Sequence, residues 1–415
     1  MTDDRVRVTS EVGPLRRVIC HTPGQELLAV TPSTKEDFLY DDLLDLGQAK
    51  REHKRFRAIL SRFAEVHEVS DLLRDVIELP EARAFLLDRV MDVTHSERLG
   101  RMVRDLRGDE LVRLFIQGRE VEKGPLARVL NVESYDLPPL PNLFFTRDAG
   151  MVVNEGVMVG AMRYSVRWTE EVLVKALFTF HPRLQNAGII YDGSEERRAD
   201  YTLEGGDVQV LRPDTALIGV SQRSSPSAFD AVAAELSKNH GIEHIIVVVL
   251  PTQRAMIHLD MVFTMVDRSH AVVYPPAFMG PDRYPVLYHH AGSSGAMREM
   301  PTIFEALANI DLPIEPISCG GERRTCQERD QWSSGCNFVA VRPGVVLGYS
   351  RNERTYREME REAGFRIING VEFLTGDVEL GPDDRAVLTF EGSELVRGGG
   401  GGRCMTMPVF REDIW

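Results

Sequence analysis

A chain of 415 residues, 43% hydrophobic and 27% charged, has the composition of a soluble globular protein and the length for a large core. Its net charge of -14 argues against a nucleic acid or an anionic membrane as partner, because both need a basic face. It suits a cationic small molecule, although solubility alone accounts for the charge equally well. No apolar run approaches the ~20 residues of a membrane span, and MTDDRVRVTS carries no signal core. Five scattered cysteines, at 20, 319, 326, 336 and 404, form no C-x-x-C pair. They fit a reducing cytoplasm rather than a disulfide framework or a structural zinc site.

In chain order, LRRVICHTPGQELLAV opens as an apolar strand running into a polar turn. Over 48–66, Phe56, Ile59, Leu60 and Phe63 follow helical spacing and predict a helix with one buried face. From Asp71 to about Gly124 the composition shifts to Leu, Arg, Glu and Asp, in EARAFLLDRVMD, SERLGRMVRDL and GDELVRLFIQG. Three or four helices forming a small inserted bundle are predicted there. DLPPLPNLFFTRD, with three prolines, returns to extended structure. Three later stretches, 156–177, 215–236 and 344–364, share one plan: an apolar strand, a polar turn with Arg and Ser or Thr, and an amphipathic helix. Repetition of such a unit predicts α/β modules around an axis, with their polar turns converging at one end.

Chemistry concentrates in four places. Cys404 follows RGGGGGR, where glycines permit close backbone approach and Arg403 favours a thiolate; a buried structural cysteine is the plainer alternative. No phosphate-loop pattern competes for the glycines. In AMIHLDMVF, read as a strand, His258 and Asp260 share one face, and burying both without a purpose is costly. Glu204-Gly205-Gly206-Asp207 follows the strand-like ADYTL and reads either as close backbone approach or as a solvated turn. NLFFTRD spaces Asn142, Phe145 and Asp148 three apart, which also fits an aromatic core strand and its turn. A cysteine, a histidine and the carboxylates Asp148, Glu204 and Asp260 together suit a guanidinium substrate. Paired carboxylates grip its planar cation, a thiolate attacks its carbon, and a histidine moves protons.

These motifs, in order, are EVGPLRRVICHTPGQEL, PLPNLFFTRD, AMRYSVR, EGGDV, IGVSQRSS, HLDMVFT, GCNFVAVRPGVVLGYSRNERT and RCMTMP. The chain resembles arginine deiminases, within the guanidine-modifying enzyme superfamily, over nearly its whole length. The resemblance implies a five-bladed α/β propeller of ββαβ modules: a first module over 1–70, an inserted helical domain over 71–130, and the remaining modules with the cysteine loop over 131–415. It implies hydrolysis of L-arginine to L-citrulline and ammonia through a thiouronium on Cys404, without metal or organic cofactor. Cys404 resembles the nucleophile, His258 the general acid/base and Glu204 its partner, with Asp148 and Asp260 as the guanidinium clamp. Arg167 and Arg223 match positions that hold the substrate carboxylate, and Asn142 and Phe145 match further pocket positions. Arg397, with Gly398 beside it, matches a gate or carboxylate contact.

The chain departs from commoner relatives at Gly399, where some carry arginine, at Arg403, where others have histidine, and in VRWTEE, which lacks a second arginine. An amidinotransferase, or a hydrolase of a related guanidine, shares the fold and nucleophile. Arg167 and Arg223 speak against agmatine, which has no carboxylate. A catalytically dead binding protein would lack one of the five reactive residues, and all five are present. The family also accommodates a dimer or tetramer.

Overall fold

The computed structural model describes residues 4–94, 99–100, 103, 105–130, 134–196, 200–239, 241–291 and 296–415. Its sheets repeat one plan: a strand pairs antiparallel with the next, which pairs parallel with a third reached through a helical crossover. Gly150–Val153, Gly156–Val159 and Ile189–Asp192 form one such sheet across the helix Trp168–Phe180. Val208–Arg212, Thr215–Val220 and His244–Val249 form the next across Pro226–Asn239, extended by Val286–His290 and Arg298–Met300. Phe263–Met265, His270–Val273 and Glu315–Ser318 follow. Val339–Arg342, Val345–Tyr349 and Ala386–Phe390 come last, with Arg366–Asn369 on the outer edge. The first sheet takes its antiparallel strand from the far end of the chain: Leu15–Cys20 pairs with Met407–Arg411 and, in parallel, with Glu65–Glu68.

The three predicted repeats are three of these units. The unit built on Phe263–Met265 lacks the repeat signature, because YPPAF follows its second strand where the others have an arginine-bearing polar turn. The predicted helix at 48–66 runs over Leu46–Leu60, started by Asp45, whose side chain accepts from the Gln48 amide. Phe63 lies beyond its end, in the turn leading to the strand, and stacks on Phe373 at 5.6 Å. The Leu- and Arg-rich stretch contains the helices Val69–Ile77, Pro80–Thr94, Gly108–Gln117 and Pro125–Leu130. SERLGRMVRDL falls mostly outside the described residues. Leu72, Leu73, Val76 and Leu86 share a buried cluster with Leu173 and Leu177 of the following unit, so these helices bury their apolar faces against it.

The site follows from this plan. Asp148, Glu204, Asp260, Asn337 and Cys404 each lie two to four residues before the first strand of a unit, so the topology brings five equivalent loops together. Among the described residues, no helix is long and apolar enough to cross a membrane.

Candidate active site

Cys404 is 4% exposed and sits in a turn just ahead of Met407–Arg411. Its sulfur is 3.2 Å from Asn337 Nδ2 and 3.7 Å from Asp260 Oδ2. Burial, then the charges of Asp260 and Asp148, push the thiol well above its ordinary range. Arg403 does not produce the thiolate its position suggests. Its guanidinium turns away, to Asp260 Oδ2 at 2.8 Å and to both oxygens of Glu11 at 3.1 Å, and its favourable field is outweighed.

His258 and Asp260 are both buried in the site, but not on a strand. His258 caps a short 3-10 turn over Leu259–Met261, and regular pairing starts only at Phe263. His258 Nε2 meets Glu204 Oε2 at 2.8 Å, and Nδ1 lies 3.8 Å from Asp148 Oδ1. Burial alone would discharge this imidazole. The charge of Asp148 and the hydrogen bond donated to Glu204 outweigh burial and raise its pKa to about 9. Burial likewise opposes the charge on Glu204, yet Arg223 and His258 hold its carboxyl far below the usual range. Gly206 is required beside the ring, since a Cβ there would stand 2.5 Å from His258 Nδ1. ADYTL forms no regular strand; Leu203 makes a single bridge to Ala161. Asp207, the second acid of the EGGD turn, accepts from the Leu259 amide at 2.9 Å and so fixes the loop that carries the histidine.

NLFFTRD is a series of buried turns rather than a strand. Asp148 lies in the short helix Thr146–Ala149, Asn142 donates to the Phe38 carbonyl at 2.8 Å, and Phe145 packs on Phe144 at 4.0 Å between centroids. The two expected carboxylate-binding arginines enter the same cavity and are paired with its acids. Arg167 Nη1 is 2.7 Å from Asp148 Oδ2 and its far edge is held by Glu170, while Arg223 Nη1 is 3.1 Å from Glu204 Oε2. One cavity is lined by Asn142, Phe145, Asp148, Arg167, Arg223, His258, Gly398 and Cys404, with Leu39 and Arg254 added by the fold. Glu204 and Asp260 stand directly behind His258 and Cys404. Arg397 is not among the lining residues. It faces outward, bonded to Asp42 Oδ2 at 2.7 Å and to Glu394 at 3.2 Å.

Far from being a loose linker, the glycine run is packed. Gly399 takes φ +94, and a Cβ on Gly401 would lie 2.8 Å from the Asn337 carbonyl oxygen. Asp148, Glu204 and His258 each place one ligand atom within 4.8 Å of the others, so they could grip a cation. The planar cation of a guanidinium would meet the same carboxylates through paired hydrogen bonds.

Comparison with known proteins decides the family. The model described as arginine deiminase matches residues 36–411. The chain belongs to the arginine deiminase family. An arginine deiminase of Staphylococcus aureus strain JH9 is 31% identical over 437 aligned residues, covering all of both chains. Among solved structures, the N-terminal domain of ArgZ bound to product, described as an arginine dihydrolase from the ornithine–ammonia cycle in cyanobacteria, superposes with a TM-score of 0.52. Its identity is 16%, over 95% of this chain and 97% of that one. An adduct of dimethylarginine dimethylaminohydrolase with S-methyl-L-thiocitrulline gives 0.52 at 15% identity, over 95% and 99%. These likenesses show a shared α/β fold.

In this arginine deiminase family member, the residues that support the site carry little signal in the sequence. Asn337 lies in GCNF and Glu11 in EVGP, both inside motifs that carried the resemblance but neither with a charge pattern of its own. Arg254, bonded to Asp41 at 2.9 Å and to the Leu39 carbonyl at 2.7 Å, had no local signal.

Proposed function

We propose that this protein hydrolyses L-arginine to L-citrulline and ammonia with Cys404 as nucleophile and His258 as general acid and base. One observation carries the reading. Asp148 Oδ1 and Asp260 Oδ1 are buried and accept no hydrogen bond among the described residues, on either side of a thiol and a protonated histidine. Buried acceptors without donors are costly, and a guanidinium supplies donors in a plane.

The cation that docks between these acids displaces Arg167 from Asp148. Arg167, once released from Asp148, swings with Arg223 toward the α-carboxylate at the other end of the same substrate. Arrival of the positive charge lowers the cost of ionising Cys404, whose proton leaves to solvent because His258 already holds one. The thiolate attacks the guanidinium carbon. His258 passes its proton to the departing nitrogen, ammonia leaves, and a thiouronium remains on Cys404. The now neutral His258 takes a proton from water, the resulting hydroxide adds to the same carbon, and the C–S bond breaks to give the ureido product and restore the sulfur. Glu204 stabilises the charged imidazole through the first half of the cycle.

The repeated sheet plan, closed by Met407–Arg411 on Leu15–Cys20, supports five propeller modules with a helical insertion over 71–130. Incubation of the purified protein with arginine is expected to yield citrulline, and Cys404→Ser to yield none. Undiminished citrulline from Cys404→Ser would sink the reading.

A further inference from the structure

Four of the five equivalent loops deliver a residue whose part in the reaction the sequence already indicates. The fifth delivers Asn337, which is 1% exposed and directly against the reacting sulfur. Its amide orientation is fixed from outside. Oδ1 accepts the backbone N–H groups of Arg403 at 3.0 Å and Cys404 at 3.2 Å, so it must be the oxygen. Nδ2 is therefore left to face Cys404 Sγ and the Asp260 carbonyl, each at 3.2 Å. The loop that aims this side chain is itself constrained. Ser334 takes φ +61, a rare conformation for a non-glycine residue, and a Cβ on Gly335 would meet the Asp330 carbonyl at 2.7 Å and Cys319 Sγ at 2.9 Å. A strained turn next to a reacting group is where strain is expected to serve function.

Given the reading of Cys404 as nucleophile, we propose that Asn337 is a catalytic hydrogen-bond donor that stabilises the Cys404 thiolate and holds its sulfur toward the substrate carbon. The carboxylates of Asp260 and Asp148 oppose ionisation of the sulfur, and the field of Arg403 offsets them only in part. A neutral amide clamped through its oxygen counters them without adding a charge that would repel the substrate cation. It acts like an oxyanion-hole donor, with sulfur in place of oxygen.

The test uses the full chain and two readouts: steady-state kinetics with arginine, and the rate at which iodoacetamide alkylates Cys404, followed by mass spectrometry of its peptide. Below the thiol midpoint that rate tracks the thiolate fraction. Asn337→Leu, close to isosteric and without a donor, is expected to lower kcat about 10²-fold with KM changed little, the loss seen for a single transition-state donor. Alkylation should slow about tenfold, corresponding to a thiol raised by about one pKa unit. A merely structural Asn337 predicts the opposite sign, because a loosened loop exposes the sulfur and speeds alkylation; unchanged or faster alkylation overturns the proposal. Should leucine prevent folding, Asn337→Ser, too short to reach the sulfur, carries the same expectations. Citrulline formation by the unmutated protein tests the underlying reading separately, since the alkylation rate does not depend on it.

Discussion

Two arginines six residues apart in the cysteine loop make nearly identical ion pairs by distance. Arg397 meets Asp42 at 2.7 Å and Arg403 meets Asp260 at 2.8 Å. Their surroundings are opposite: the first pair is 40% and 57% exposed, the second 1% and 0%. Water and salt compensate either partner at the rim when the other is removed. In the interior neither does, and Arg403 is also pinned to Glu11 and to the Val208 carbonyl at 2.7 Å. Position in the fold, not bond length, sets what each pair contributes.

Breaking the inner pair should give the largest effect. Arg403→Met takes the principal cation from the buried Asp260 and Glu11, leaving Arg147 as the nearest remaining one, and is expected to destabilise the protein by about 3–5 kcal/mol, read from denaturant unfolding. Hydrolysis should fall with it, as Asp260 loses its orientation toward Cys404.

Glu204→Gln removes charge from the inner wall without removing bulk. His258, no longer held near 9, should titrate closer to its ordinary 6.5. Because the reaction needs this histidine protonated, the alkaline limb of kcat/KM should move downward, with a loss of about 10- to 30-fold at pH 8 from the smaller protonated fraction. An unmoved limb would separate His258 from the proton transfer.

Stability against pH sharpens the same contrast. The folded pKa of His258 lies above its unfolded value. Its contribution is therefore complete below about pH 6.5 and disappears as pH rises through about 9. His21, buried between Glu26 and Glu68, behaves alike: burial opposes its charge, but the two carboxylates raise it to about 10. Thermal melts should weaken across pH 6.5–10 in the unmutated chain and less so in His258→Gln.

The rim should respond least. Arg397→Ala and Asp42→Asn are each expected to cost no more than about 1 kcal/mol of stability. Any rise in KM should be a few-fold and should shrink at high ionic strength, where the pair is screened.

Much of this organisation was legible in the sequence, and the exceptions share a cause. Strand–turn–helix units are local, and periodicity exposed them wherever their turns were polar. The unit beginning at Phe263 was hidden by YPPAF. The alternation in IHLDM imitates a strand because His258, Leu259, Asp260 and Met261 are all buried in the turn, so polar and apolar residues alike lack a solvent face. Cys404, His258, Glu204, Asp148 and Asp260 were readable as reactive types in matching motifs. What Arg403 and Asn337 do was not, since their partners Glu11, Asp260 and Cys404 lie far away in sequence and only the fold joins them.

The antiparallel pairing of Met407–Arg411 with Leu15–Cys20 also orders events during synthesis. Cys404 is three residues ahead of that strand, so a nascent chain still missing it has the acids and the histidine but no anchored sulfur. The strand Leu15–Cys20 must wait, unpaired on that edge, until Met407–Arg411 has left the ribosome. The enzyme therefore gains its reactive centre in the same step that completes its first sheet, and a chain cut between Cys404 and Met407 would be expected to lose both together.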